Sequence, residues 1–149
     1  MTAISMSVAV AEMEALFRAA WSPRLCDYPN QGFVIPSALN VVWARWRCQH
    51  FTAGQSSLSN ALGKRRFNRT GTLFIQLFTP LNASELASYD IAEIVVGAYE
   101  GKATPSGVWF RNVRPQEINR DSQTGASDQG GEAWNQKNVL VDFLYDQIR

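Results

Sequence analysis

Reactive and metal-binding side chains are scarce in these 149 residues, which hold two cysteines, Cys26 and Cys48, and one histidine, His50. Two widely spaced cysteines fit neither a disulfide framework nor a paired metal knuckle, and they point to synthesis in a reducing cytoplasm. One histidine and two separated cysteines cannot assemble the usual zinc set without carboxylates. A Ser-His-Asp or Cys-His site would have to use His50, and no Gly-x-Ser-x-Gly elbow is present to supply a nucleophile. Cys48 and His50 fall on the same side of a strand, but both follow the apolar alternation with Trp46 and read as the edge of a core. Glycine-rich phosphate loops are absent as well. The sequence therefore predicts no enzyme, cofactor or metal. Nor does any run approach the eighteen or so apolar residues of a membrane span. The first basic residue is Arg18, with Glu12 and Glu14 ahead of it, so a soluble chain without a signal peptide is expected.

What the chain does contain is apolar residues at 46% and aromatics at 11%, enough for one core in one domain spanning residues 1–149. The net charge of +1 hides an asymmetry. Eight basic against three acidic residues up to position 75 leave +5, and six basic against ten acidic residues after it leave −4. If the two sets reach opposite sides of the fold they can pair between subunits in a head-to-tail contact; otherwise both are solvated surface.

Periodicity organises the chain into six elements. Val10, Met13, Phe17, Ala20 and Trp21 recur at helical spacing and predict a helix over 7–21, ended by Ser22-Pro23. Residues 22–38 hold three prolines and read as an extended connection. A strand follows over 39–51, with Val42, Ala44, Trp46 and Cys48 on one face and Trp43, Arg45, Arg47 and Gln49 on the other. Residues 52–64 are rich in Gly, Ser and Asn and predict a flexible arm before a second long antiparallel strand.

That second strand, 66–79, starts basic and becomes continuously apolar at Leu73, Phe74 and Ile75, as a central strand does, with Gly71 marking a bulge or close approach and Pro80 the stop. Asn82 or Ser84 can cap a helix running to about Tyr99, with Ala87, Ile91, Ile94, Val95 and Ala98 inward and Gly101 ending it. A strand over 107–114 is broken by Pro115, a polar loop fills 118–133, and a last alternating strand covers 134–146. The expected fold class is α+β: a four-stranded antiparallel or mixed sheet with two helices packed on one face and a long β-hairpin arm.

The lead-in YPNQGFVIP at 28–36, the strand NVVWARWRCQHF at 40–51 and the strand RRFNRTGTLFIQLFTP at 65–80 come in order, followed by a helix and VWFRNVRP at 108–115. With Arg69, Gly71 and Pro80 as its fixed-looking positions, this order resembles the tail-terminator proteins of tailed bacteriophages with long non-contractile tails. The resemblance implies a virion-assembly protein that forms a ring, usually a hexamer, on the finished tail tube, stops tube polymerisation and offers a surface for joining the head. Implied partners are the chain itself, the tail tube protein and a head-tail connector or neck protein. DNA would pass through such a ring without specific binding. The implied location is the head-proximal end of the virion tail, reached from the host cytoplasm. No catalytic residues come with the resemblance.

Two other functions compete with it. A head-tail connector or tail-completion protein of similar architecture would share the same element order. A DNA-binding module would use the cations of KRRFNR with Arg45, Arg47 and Trp43, although a pI near 7.8 is low for one. The candidate interface for a subunit or partner is Trp43, Arg45, Arg47, Lys64, Arg65, Arg66 and Arg69, whose guanidinium groups suit partner carboxylates. Of the five tryptophans, Trp46 belongs to the core, while Trp43 is either an interface anchor or packed beneath the first helix or the proline-rich segment.

Overall fold

A computed structural model describes residues 4–36, 41–58, 61–80, 85–116 and 134–149. The elements are α1 (Met6–Trp21), β1 (Leu25–Asp27), β2 (Trp43–Gln55), β3 (Arg66–Pro80), α2 (Glu85–Tyr99), β4 (Trp109–Gln116) and β5 (Trp134–Ile148). They build one α+β unit around a five-stranded mixed sheet of order β1-β2-β3-β5-β4.

The fifth strand corrects the four expected from the sequence. β1 is three residues of the proline-rich connection, paired in parallel with the start of β2 from Leu25 opposite Trp43 to Asp27 opposite Arg45. Such a strand is too short to show any alternation. Other boundaries shift for equally local reasons. β2 continues through four residues assigned to a flexible arm, because Thr52 to Gln55 stay paired with β3 as far as Phe67. β4 runs through Pro115, which an outermost strand tolerates because a nitrogen turned away from the sheet has no ladder bond to donate. The expected caps Asn82 and Ser84, the start of the first long strand at 39–40 and the polar loop at 118–133 lie outside the described residues.

β3 and β5 form the spine of the sheet, antiparallel over their whole length from Arg66 opposite Ile148 to Pro80 opposite Trp134. Their odd-numbered residues face the helices: Leu73, Ile75, Leu77, Val139, Val141, Phe143 and Tyr145 join Ala44 and Trp46 of β2 in one buried cluster. α1 closes this cluster with Ala9, Met13, Phe17 and Trp21, and α2 with Ile91, Ala92, Val95, Ala98 and Tyr99. Both helical stripes are rotated slightly from those the sequence suggests, since Val10, Ala20 and Ile94 sit only half-buried beside them. Ser5 caps α1, its hydroxyl accepting from the Val8 N–H at 3.2 Å.

One hydrogen-bonded knot ties the layers together inside the core. Trp46 Nε1 donates to the Tyr99 hydroxyl at 3.1 Å, and that hydroxyl donates to the Met13 carbonyl at 2.9 Å. Burial alone would penalise these polar atoms, so the chain satisfies them with each other. Gly71 occupies the tightest point of the sheet: a Cβ there would collide with the Gln49 carbonyl oxygen and lie 2.5 Å from Phe143 Cζ. The β2 strand bulges beside it, with His50 opposite Gly71 and Thr52 opposite Thr70, leaving Phe51 unpaired.

Candidate interface

The even-numbered residues of β3 and β5 face away from the helices, and this second face carries most of the candidate residues. At one end Trp43 stacks on Phe78 with ring centroids 4.0 Å apart, lies 5.4 Å from Phe33 and meets Trp134 edge-on at 6.1 Å. Phe33 and Ile35 of the proline-rich segment pack over these rings as a second, smaller core. Trp43 is therefore 1% exposed, which corrects its reading as an exposed anchor in favour of packing beneath the proline-rich segment.

The neighbouring arginines are engaged within the chain. Asp27 accepts from Arg45 Nε at 3.0 Å and from Arg47 Nη2 at 3.1 Å, while Arg47 Nη1 also donates to the carbonyls of Asp27 and Trp46. Arg45 further reaches Gln76 Oε1 at 3.4 Å and lies 5.6 Å from the Trp43 ring. Both guanidinium groups thus clamp β1 onto β2.

The basic residues at the other end of β3 diverge. Arg66 pairs with Asp146, which also accepts from Asn68 Nδ2 at 3.0 Å. Arg69 lies on the opposite, helix-side face, donating from Nε to Gln147 Oε1 at 2.9 Å. Gln147 in turn donates to the Ile4 carbonyl, so Arg69 helps close the foot of the core. Arg65 exchanges backbone hydrogen bonds with Arg149, and Lys64 is exposed. Phe78, which pairs with Trp43, and Arg69 are nine residues apart on β3, or about 30 Å. The seven residues expected to act together are consequently split between two ends and two faces of the sheet.

Sequence reading passed over a cleft on the same open face. Arg66, Ser106, Gly107, Trp109, Arg111, Leu144, Tyr145 and Asp146 line a cavity of about 440 Å³. Its wall is the turn before β4, where the Val108 N–H bonds to Thr104 Oγ1 at 3.0 Å and Gly107 adopts φ +101°. The Glu12 carboxylate of α1 holds the same turn, accepting from the Ser106 hydroxyl at 2.7 Å. Burial raises the Glu12 pKa, but the hydrogen bonds from Ser106 and Thr104 outweigh it and hold the group below its usual value. Trp109 stands in this cleft 60% exposed, and beside it Arg111 has no hydrogen-bond or ion-pair partner among the described residues. The signal in the sequence is the alternation of Trp109 with Arg111, which repeats that of Trp43 with Arg45.

The His50 and Cys48 pair sits on the helix side. His50 Nε2 and the Tyr145 hydroxyl share a hydrogen bond of 2.7 Å, and the imidazole meets Phe143 edge-on. Burial, then the positive charge of Arg69, lower the His50 pKa. Burial pushes the thiols of Cys26 and Cys48 up to about 12, so both remain protonated at neutral pH. Among the described residues no three His, Cys, Asp or Glu side chains gather as a metal site would require.

No protein-family model and no curated protein matches the chain. A solved structure that carries no functional name is similar over 98% of this chain and 96% of its own, with a TM-score of 0.54 and 13% identity. At that identity the likeness concerns the fold alone.

Proposed function

We propose that the protein is a tail terminator-like assembly protein of a long-tailed bacteriophage, forming a ring, hexameric by the resemblance, on the end of the tail tube. The observation that carries this reading is the order of elements on which the resemblance rests: a helix, a long β2–β3 hairpin, a second helix and two further strands around the main core. The open sheet face supports it further, since an exposed tryptophan beside a free arginine has the composition of an interface hot spot. The role calls for self-association, a tube partner and a neck partner, and for no cofactor or catalytic group.

Within this reading the interface moves. Arg45, Arg47 and Arg66 already hold partners inside the chain, so Arg111, free among the described residues, takes with Trp109 the place first given to Trp43, and Lys64 stays available at the hairpin end. Electron microscopy and solution mass test the proposal. The expected result is a closed ring, alone or on tube tips. A chain that stays monomeric at every concentration, and also with purified tube protein present, would sink it.

A further inference from the structure

The outer surface of α2 has an unusual composition. Leu86, Asp90, Glu93, Gly97 and Glu100 are all exposed, and their spacing of four, three, four and three residues places them along one side of the helix. α2 contains no lysine or arginine, and Asp90, Glu93 and Glu100 form no ion pair among the described residues. Glu100 also follows directly on the carbonyl end of the helix, where the helix dipole disfavours an acid. Leu86 is 71% exposed at the head of the stripe.

The complement of this surface is on the same chain but across the sheet. The cleft presents the exposed ring of Trp109, Arg111, whose guanidinium is free among the described residues, and the half-exposed Arg66, while α2 lies on the helix side. Because the two surfaces face opposite ways, one copy cannot satisfy them itself. We infer that the Trp109–Arg111 cleft of one subunit receives the acidic outer stripe of α2 from the next copy of this chain. In that contact Leu86 covers the Trp109 ring, and Asp90 and Glu93 face Arg111. Such a contact joins different surfaces of successive subunits, and it closes into a ring when the rotation permits. The inference rests on the ring-forming reading proposed above and specifies the subunit contact.

Sedimentation velocity on the full chain tests it with Trp109→Ala and with the double variant Asp90→Lys, Glu93→Lys. Each is expected to keep the wild-type circular dichroism and to lose every species above the monomer. Mixing the two variants leaves one intact cleft and one intact helix, so the mixture is expected to form a 1:1 dimer and nothing larger. Should Trp109→Ala lose its fold, Arg111→Glu serves in its place with the same expected outcome. A wild-type ring that these variants leave intact would overturn the contact alone, as would a mixture that stays monomeric. A wild type that is monomeric under all conditions, tube protein included, would remove the ring reading and this contact together.

Discussion

Trp43 and Trp109 occupy equivalent places. Each opens a strand, each points to the helix-free face of the sheet, and each is followed two residues later by an arginine on the same side. Yet Trp43 is 1% exposed and Trp109 is 60% exposed. The difference comes from what the chain lays over them. Phe33 and Ile35 cover the first ring and Asp27 binds its arginines, whereas no described residue covers the second ring and Arg111 is free among the described residues. Burying a tryptophan removes roughly 150–250 Å² from water, about 4–6 kcal/mol at the usual coefficient. The proline-rich segment collects that gain within the monomer at Trp43. At Trp109, 60% exposed, the described residues leave much of that gain uncollected.

Paired alanine substitutions give the largest effect that could break this comparison. Trp43→Ala should cost about 3–5 kcal/mol, because it empties a site packed by Phe33, Phe78 and Trp134. Trp109→Ala should change monomer stability by no more than about 0.5 kcal/mol, as exposed substitutions do. Urea unfolding at concentrations where both variants are monomeric measures the two values directly. Equal losses would mean that Trp109 belongs to the fold as fully as Trp43.

The sequence does not separate these two residues, and the reason is physical. Alternation along a strand reports which face a side chain takes, and it served well for the last strand, as helical spacing did for Met13, Phe17 and Trp21 and the continuous apolar run did for the central strand β3. Gly71 was legible too, because a glycine within an apolar strand marks a close approach. What covers a face depends on contacts distant in sequence. Asp27 meets Arg45 and Arg47 across 18 and 20 residues, and nothing local announces that pairing. The same contact explains the missed strand β1: its three residues are held by their neighbours and by two guanidinium groups, with no pattern of their own. Arg69 reads as one of a basic run, but strand parity turns it to the helix side, away from Arg66.

Removing the charge that secures the covered end should sharpen the contrast with a smaller effect. Asp27→Asn keeps the shape of the side chain but leaves Arg45 and Arg47 without a carboxylate, at a cost of about 1–2 kcal/mol given that Arg47 is partly solvated. The loss should concentrate where β1 meets β2. Limited proteolysis is expected to cut the 28–36 segment faster than in the parent, with the 106–116 region unchanged. Uniformly faster cleavage would show that Asp27 supports the whole fold and not this edge.

Acid titration should produce the smallest effects, in two steps that belong to different sides of the sheet. On the helix side, burial and then the Arg69 charge hold the His50 pKa below its ordinary value. The unfolded chain therefore takes up a proton first, so this contribution is complete above about pH 6.5 and is lost as pH falls through the folded value. On the open face, burial raises the pKa values of Asp142 and Asp146, but their hydrogen bonds outweigh it: Thr72 and Asn112 with the Arg114 charge for the first, Arg66 and Asn68 for the second. Both carboxyls end below the usual range, so their contribution is complete above about pH 4 and is lost as pH falls further. Stability measured across pH should therefore decline first below about pH 6.5 and again below about pH 4. In Arg66→Ala the second decline should shrink while the first persists, because Asp146 loses its strongest partner and His50 is untouched. A variant in which both declines change together would mean that the two faces titrate as one network.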